Sequence, residues 1–312
     1  ILFMYIKKSI IKISNFICIG AIHLDNILKL KNRYYKNRTN PIIKHTSLGG
    51  VAYNIANKLS FLGIKGTLIS LNCSRKEKKI LKKNNLNFIP LTKEIYERSY
   101  SSIINKKGEM ILGLADMDIY DKKLKVRNLN NYKNKIIILD LNFSRYFINS
   151  IINKYYFYNL ICINGTSAHK IMKINNFLKK INILIINKQE SINLTNKKNI
   201  KDALNYIIKK NDKITLVITN GRYSINAYHN KIIYTCKPPQ LMIVNENKAG
   251  DIMSSFFYYY FFQKLDFEKI ICKSAVAGSL YVSGFNSTKK NYLKMIDKIS
   301  KKIKVKHHKF YG

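Results

Sequence analysis

The chain has no tryptophan, only four prolines and 13 glycines, and 17 acidic residues against 56 lysines and arginines. Scarce proline and glycine argue against a low-complexity linker, and no internal repeat is present, so the 312 residues read as one large α/β unit rather than an array. The shortage of acid leaves a formal net charge of +39. That charge is spread from end to end with no basic stripe or tail, and no aromatic-interleaved RNA-binding motif accompanies it. It therefore reads as drift toward Ile, Lys, Asn, Tyr and Phe, and nucleic acid is not the expected partner. A small polyanion such as a nucleotide would still gain from the field.

Cysteine is also sparse. Cys18, Cys73, Cys162, Cys236 and Cys272 are odd in number and far apart, which excludes a disulfide framework and paired-cysteine metal sites and suits a reducing cytoplasm. No apolar run reaches membrane-spanning length. Residues 10–22 follow two lysines and mimic a signal peptide, but they lack a small-residue cleavage site and are expected to form the first strand. His307 and His308 are expected to be solvated in a basic tail.

What is present is an alternation. Near-continuous apolar runs at 13–20, 66–71, 136–141, 160–163, 183–186 and 214–219 predict buried parallel strands. Stretches 53–62, 77–84, 144–154, 169–180, 202–210 and 251–264 predict helices between them. The expected architecture is a three-layer α/β/α sandwich with a mostly parallel central sheet. Regions 23–47 and 92–119 break the pattern. The second reads as a hairpin, with strands at 100–104 and 110–114 around the turn Asn105-Lys106-Lys107-Gly108, and both suggest a small β-flap serving as a lid.

Five strings carry candidate chemistry. Asn247-Lys248-Ala249-Gly250-Asp251 opens an apolar helix. Small residues there free backbone N–H groups for a phosphate, and a carboxylate in such a site suits general-base work on an attacking hydroxyl. The bland alternative is an Asp capping a core helix. Gly49-Gly50-Val51-Ala52-Tyr53-Asn54, with Gly63 after the helix, permits close backbone approach to a ligand, and Asn54 offers a donor and an acceptor to a polyol. Asp25, after the strand ending at Gly20, lies at the carboxyl edge of the sheet, where ligands bind in open α/β folds. Asn187-Lys188-Gln189-Glu190 suits water-mediated magnesium binding, or simply a capping box. Thr219-Asn220-Gly221 follows a strand and suits phosphate or ribose contact.

In this order the strings resemble the signatures of the ribokinase-like (PfkB) family of sugar and nucleoside kinases over nearly the whole chain, 1–312. Asn187-x-x-Glu190 is similar to the family's magnesium motif and Ala249-Gly250-Asp251 to the end of its anion hole. Gly108-Glu109-Met110, Asp116-Met117-Asp118-Ile119, Asp140-x-Asn142 and Ser167-Ala168-x-Lys170 look closest to the pseudouridine kinase branch. The resemblance implies transfer of phosphate from ATP to a 5′-hydroxyl, most simply that of pseudouridine, or else another sugar-kinase activity, or ligand binding without turnover. It implies Asp251 as base, and the N–H groups of Ala249, Gly250 and Asp251 as the phosphoryl cradle. Asp25, Gly49, Gly50 and Asn54 would surround the sugar, and Asp116 and Asp118 would touch the base. Asn187 and Glu190 would organise ATP with Mg2+, Thr219, Gly221 and Asn286 would face the nucleotide, and a monovalent cation such as K+ and a homodimer joined through the lid remain open.

Four positions depart from the family pattern. Lys248 replaces the first anion-hole glycine, with an ammonium able to pair with the phosphate. Asn72-Cys73-Ser74-Arg75 stands where Gly-x-Asp is expected, Asn164-Gly165 replaces Asp-Pro, and Ser224 replaces a glycine.

Overall fold

The computed structural model describes residues 15–122, 129, 132–244 and 247–311. Positions 10–14 of the expected first strand lie outside them. From Asn15 the chain forms β1 (Asn15–Ile19), whose neighbours on the two sides are β4 (Lys65–Ser70) and β8 (Ile136–Leu139), all parallel. The sheet continues outward through β5 (Leu86–Pro90) on one side. On the other it runs through β9 (Leu160–Asn164), β10 (Ile183–Asn187) and β11 (Thr215–Thr219), still parallel. Three antiparallel strands finish that edge: β12 (Ile225–His229), β13 (Ile232–Cys236) and β14 (Val305–Lys309).

The strands are apolar on both faces because helices cover both. Phe16 and Cys18 of β1 belong to one core, shared with α1 (Val51–Phe61), α6 (Ala249–Phe262), α7 (Phe267–Val282) and α8 (Lys289–Ser300). Ile17 and Ile19 belong to the other. That second core is shared with α3 (Arg145–Tyr155), the 3-10 stretch Lys170–Lys180, α4 (Lys188–Thr195) and α5 (Ile200–Lys210). The period of two in the strand thus becomes two cores on either side of one sheet. A further helix, α2 (Arg75–Lys83), starts at a reciprocal capping box between Ser74 and Glu77.

A second sheet of four strands has the order β3 (Ile42–Gly49), β2 (His23–Leu30), β6 (Ser99–Ile104), β7 (Met110–Asp116). It arises from the two stretches that break the alternation. Arg98 ties it to the large sheet. Its buried guanidinium donates to the carbonyls of Ile22 (2.6 Å), Tyr96 (2.6 Å) and Asn72 (3.1 Å), and to the Tyr120 hydroxyl (3.0 Å).

Two expectations change, and some elements went unread. His307 and His308 do not sit in a loose tail: they pair with Tyr234 and Ile233 in the edge strand β14, although their side chains remain exposed. The stretch 169–180 is wound as 3-10 turns. Strands β5, β12, β13 and β14 and helices α7 and α8 carry too weak or too mixed a pattern to have been read from the sequence.

Candidate active site

Asp140, at the end of β8, fixes the floor. Its Oδ2 accepts from the backbone N–H of Ala21 (2.8 Å) and Ala52 (3.1 Å), and its Oδ1 from that of Asn142 (3.0 Å). One buried carboxylate thus ties the end of β1 to the start of α1 and satisfies a helix-terminal donor. Glycines allow the chain to pack closely here. A Cβ on Gly49 would lie 2.1 Å from Asp25 Oδ2, and one on Gly50, which has φ +107°, would lie 2.2 Å from the Ala21 carbonyl oxygen. Only glycine fits either place.

Asp251 lies in the first turn of α6, and Asn54 Nδ2 donates to its Oδ2 at 2.7 Å. Burial pushes the Asp251 carboxyl up to about 6, against the lowering effect of the Asn54 bond and the Lys248 charge. A carboxyl held there is ionised at neutral pH yet basic enough to take a proton from a hydroxyl. The first backbone bond of α6 is donated by Ile252 to the Lys248 carbonyl, so the N–H groups of Ala249, Gly250 and Asp251 precede it at the positive end of the helix.

Lys248 adopts φ 67°, the left-handed conformation a glycine would take without strain. Its ammonium does not reach ahead of the helix. It lies 2.9 Å from Asp25 Oδ2, 3.1 Å from the Leu48 carbonyl and 3.4 Å from Ser47 Oγ. Asp25 Oδ1 lies 3.2 Å from His23 Nδ1. Burial raises the Asp25 carboxyl, but the His23 bond and the Lys248 charge together bring it below its ordinary value. Asp25 therefore carries a charge and has both oxygens engaged, where the sequence suggested a carboxylate free to take two hydroxyls.

These groups line a cavity of about 640 Å3 beneath the small sheet. Asp25, Gly50, Asn54, Lys248 and Asp251 converge there, with Asn142, Lys170 and Tyr281 opposite. A second cavity of about 290 Å3 lies on the other side of the α6 N-terminus, lined by Thr219, Gly221, Ala249, Gly250 and Pro238 among others. The segment 248–251 thus separates two chambers, with Lys248 and Asp251 facing one and Ala249 and Gly250 the other.

Not every expected residue joins them. Asp116 and Asp118 are exposed and outside both cavity walls. Their neighbours Ala115 and Met117 line the larger cavity instead. Asn286 is exposed beyond the end of α7 and also lies outside the walls. Asn187 and Glu190 form a reciprocal capping box at α4, the plainer of the two readings, and line neither cavity. Glu190 is nevertheless buried. Desolvation pushes its carboxyl up to about 7, against the Asn187 N–H and helped by the charge of Asp251.

The departures at 164–165 and 72–75 gain a reason. A Cβ on Gly165 would lie 2.0 Å from Glu190 Oε2, and Asn164 accepts from the Tyr258 hydroxyl at 2.5 Å. Asn72 supplies a carbonyl to Arg98 while Ser74 caps α2. Lys170 and Asn142, each part of a separate string singled out in the sequence, meet in the cavity wall. The Lys170 ammonium donates to Asn142 Oδ1 at 2.8 Å, a pairing across 28 positions that the two strings by themselves do not show. Among the described residues no cluster of three or more His, Cys, Asp or Glu is arranged to hold a metal, and no helix is long and apolar enough to cross a membrane.

No family model matches the chain. A pseudouridine-metabolizing bifunctional protein of Schizosaccharomyces pombe is 27% identical over 125 residues, which is 37% of this chain and 17% of that protein's length. Among solved structures, a carbohydrate kinase from Agrobacterium tumefaciens superposes with a TM-score of 0.75 at 19% identity, covering 95% of this chain and 100% of the other. The Methanocaldococcus jannaschii nucleoside kinase, an archaeal member of the ribokinase family, gives 0.70 at 21%, covering 91% and 98%. Ribokinase from Cryptococcus neoformans in complex with ADP gives 0.71 at 13%, covering 92% and 99%. The chain has the ribokinase-like α/β fold that these kinases share.

Proposed function

We propose that the protein is a ribokinase-like kinase that transfers the terminal phosphoryl group of ATP to the 5′-hydroxyl of a nucleoside or sugar, with pseudouridine the first candidate. The observation that carries this reading is the α6 N-terminus standing between two cavities, a carboxylate facing one and free backbone N–H groups between them. The larger cavity suits a nucleoside. Asp251, oriented by Asn54, takes the proton of the attacking hydroxyl. The N–H groups of Ala249, Gly250 and Asp251 hold the phosphoryl group, and Thr219 and Gly221 line the nucleotide side. Lys170 and Asn142 face the substrate from the sheet edge.

Bound to the nucleotide's phosphates, Mg2+ would supply charge neutralisation. Glu190 is the carboxylate that would face such an ion through water: burial raises it and the nearby Asp251 charge adds to the rise, an excess of negative charge that a hydrated dication would relieve. Five buried, unpaired thiols support a cytoplasmic location. The exposed apolar side chains of β7 (Met110, Ile111, Leu112 and Leu114) support a lid-to-lid homodimer.

The test is ATP consumption over a panel of pseudouridine, uridine, ribose and fructose. Turnover of one member is expected, and folded protein inactive on all of them overturns the reading. The engagement of both Asp25 oxygens favours a second reading, a binding protein without turnover. That one is recognised by nucleoside-induced thermal stabilisation in the same inactive sample.

A further inference from the structure

Lys248 has a left-handed backbone that a glycine would adopt freely and a lysine adopts at a cost of about 1 kcal/mol. Such strain persists where the surroundings hold it, and it clusters at functional sites. Its ammonium has three acceptors, all on the lid: Asp25 Oδ2 in β2, and the Leu48 carbonyl and Ser47 hydroxyl in β3. They match the three hydrogens of the group. Yet its backbone caps α6, directly before the three N–H groups at the helix start. One residue is therefore anchored at the anion-binding end and pairs with the polyol-facing carboxylate.

We propose that the Lys248 ammonium is exchanged between two acceptors, the Asp25 carboxylate and a phosphoryl group at the α6 N-terminus, so that ligand binding at Asp25 and phosphoryl binding at the helix are coupled through this side chain. The inference rests on the kinase reading for the identity of the anion. Substrate hydroxyls that donate to Asp25 Oδ2 compete with the ammonium for that oxygen. A phosphoryl group carries more charge than one carboxylate and draws the ammonium the other way. The lysine stem is long and rotatable, and the cavity gives it room to turn. Each ligand thus lowers the cost of binding the other, and linkage makes the effect reciprocal. At the same position a glycine provides an anion cradle without this coupling.

The test needs no substrate sugar. Binding of AMP-PNP, which carries a γ-phosphoryl group, and of ADP, which does not, is measured by calorimetry with magnesium. The proteins are the wild type, Asp25→Asn, Lys248→Met and the double variant. Asp25→Asn frees the ammonium and is expected to tighten AMP-PNP by about three- to tenfold, while Lys248→Met weakens it by about tenfold. The double variant behaves like Lys248→Met, and ADP shifts by no more than about twofold throughout. Lys248→Gly relieves the backbone and is expected to bind AMP-PNP as weakly as Lys248→Met, which separates lost charge from misfolding. The coupling is overturned if Asp25→Asn tightens AMP-PNP equally with and without Lys248, if Lys248→Met binds as the wild type does, or if the wild type binds neither nucleotide. Turnover combined with a flat cycle sinks the coupling and leaves the kinase reading standing. An intact cycle without turnover sinks the kinase reading and leaves the coupling.

Discussion

Replacing Asp251 with asparagine is expected to make the protein more stable and inactive at once. Burial raises the Asp251 carboxyl from an ordinary 3.8 to about 6, so its ionised form is disfavoured in the folded protein by roughly two pH units, or about 3 kcal/mol at most. Water entering from the cavity lowers the usable figure to about half of that. The sign follows from proton counts. Below about pH 4 the group is protonated in folded and unfolded chains alike. Between about 4 and 6 the folded protein holds the proton more tightly, so its stability falls as pH rises through that window and levels off above it.

Asparagine carries no charge, keeps an oxygen to accept from Asn54, and escapes the fall. Its advantage over the wild type is therefore near zero at pH 4 and about 1.5 kcal/mol at pH 7.5, a rise of roughly 3 °C in Tm for a chain of this size. Losing the base costs about 10²- to 10⁴-fold in kcat. Urea or thermal denaturation at four pH values, with turnover measured alongside, checks both halves. A variant no more stable than the wild type at pH 7.5, or one whose advantage is as large at pH 4, refutes the burial argument.

Other expectations follow from the same geometry. Gly50→Ala introduces a Cβ 2.2 Å from the Ala21 carbonyl oxygen at φ +107°, and a loss of about 2 kcal/mol or more is expected in urea unfolding. Arg98→Met leaves several carbonyls without a donor and is expected to cost about 2–4 kcal/mol, with faster hydrogen exchange in β6 before the rest of the fold. The rate kcat/KM is expected to fall as pH drops through about 6, where Asp251 gains its proton, and an acidic limb below pH 5 would remove that residue from the proton transfer. Asp116→Ala and Asp118→Ala, both exposed, are expected to leave KM within about twofold in substrate titrations.

Most of the parallel sheet was legible because its central strands are near-continuous apolar runs, a pattern that burial on both faces requires, while the outer strand β5 was not. Segment 49–54 and segment 249–251 were legible because close backbone approach demands small residues at fixed spacing. Less could be read where pairing is remote. The edge strand β14 contains two histidines and two lysines, and nothing in Val305–Lys309 announces that it will pair with β13. Arg98 looked like one more charge in a basic chain until carbonyls from positions 22, 72 and 96 converged on it. Asp116 and Asp118 read as ligand contacts from the sequence, and the structure lines the larger cavity with their neighbours Ala115 and Met117.

The order of the residues alone thus determined the layers, the two stretches that form the small sheet and the carboxylate at the start of α6, because periodicity and steric need act over a few neighbouring positions. Which charges meet was decided in three dimensions. Lys248 and Asp25 are 223 positions apart, and only the docking of the small sheet against α6 brings ammonium and carboxylate to 2.9 Å. Electrostatic pairing depends on distance in space, and distance along the chain carries no record of it.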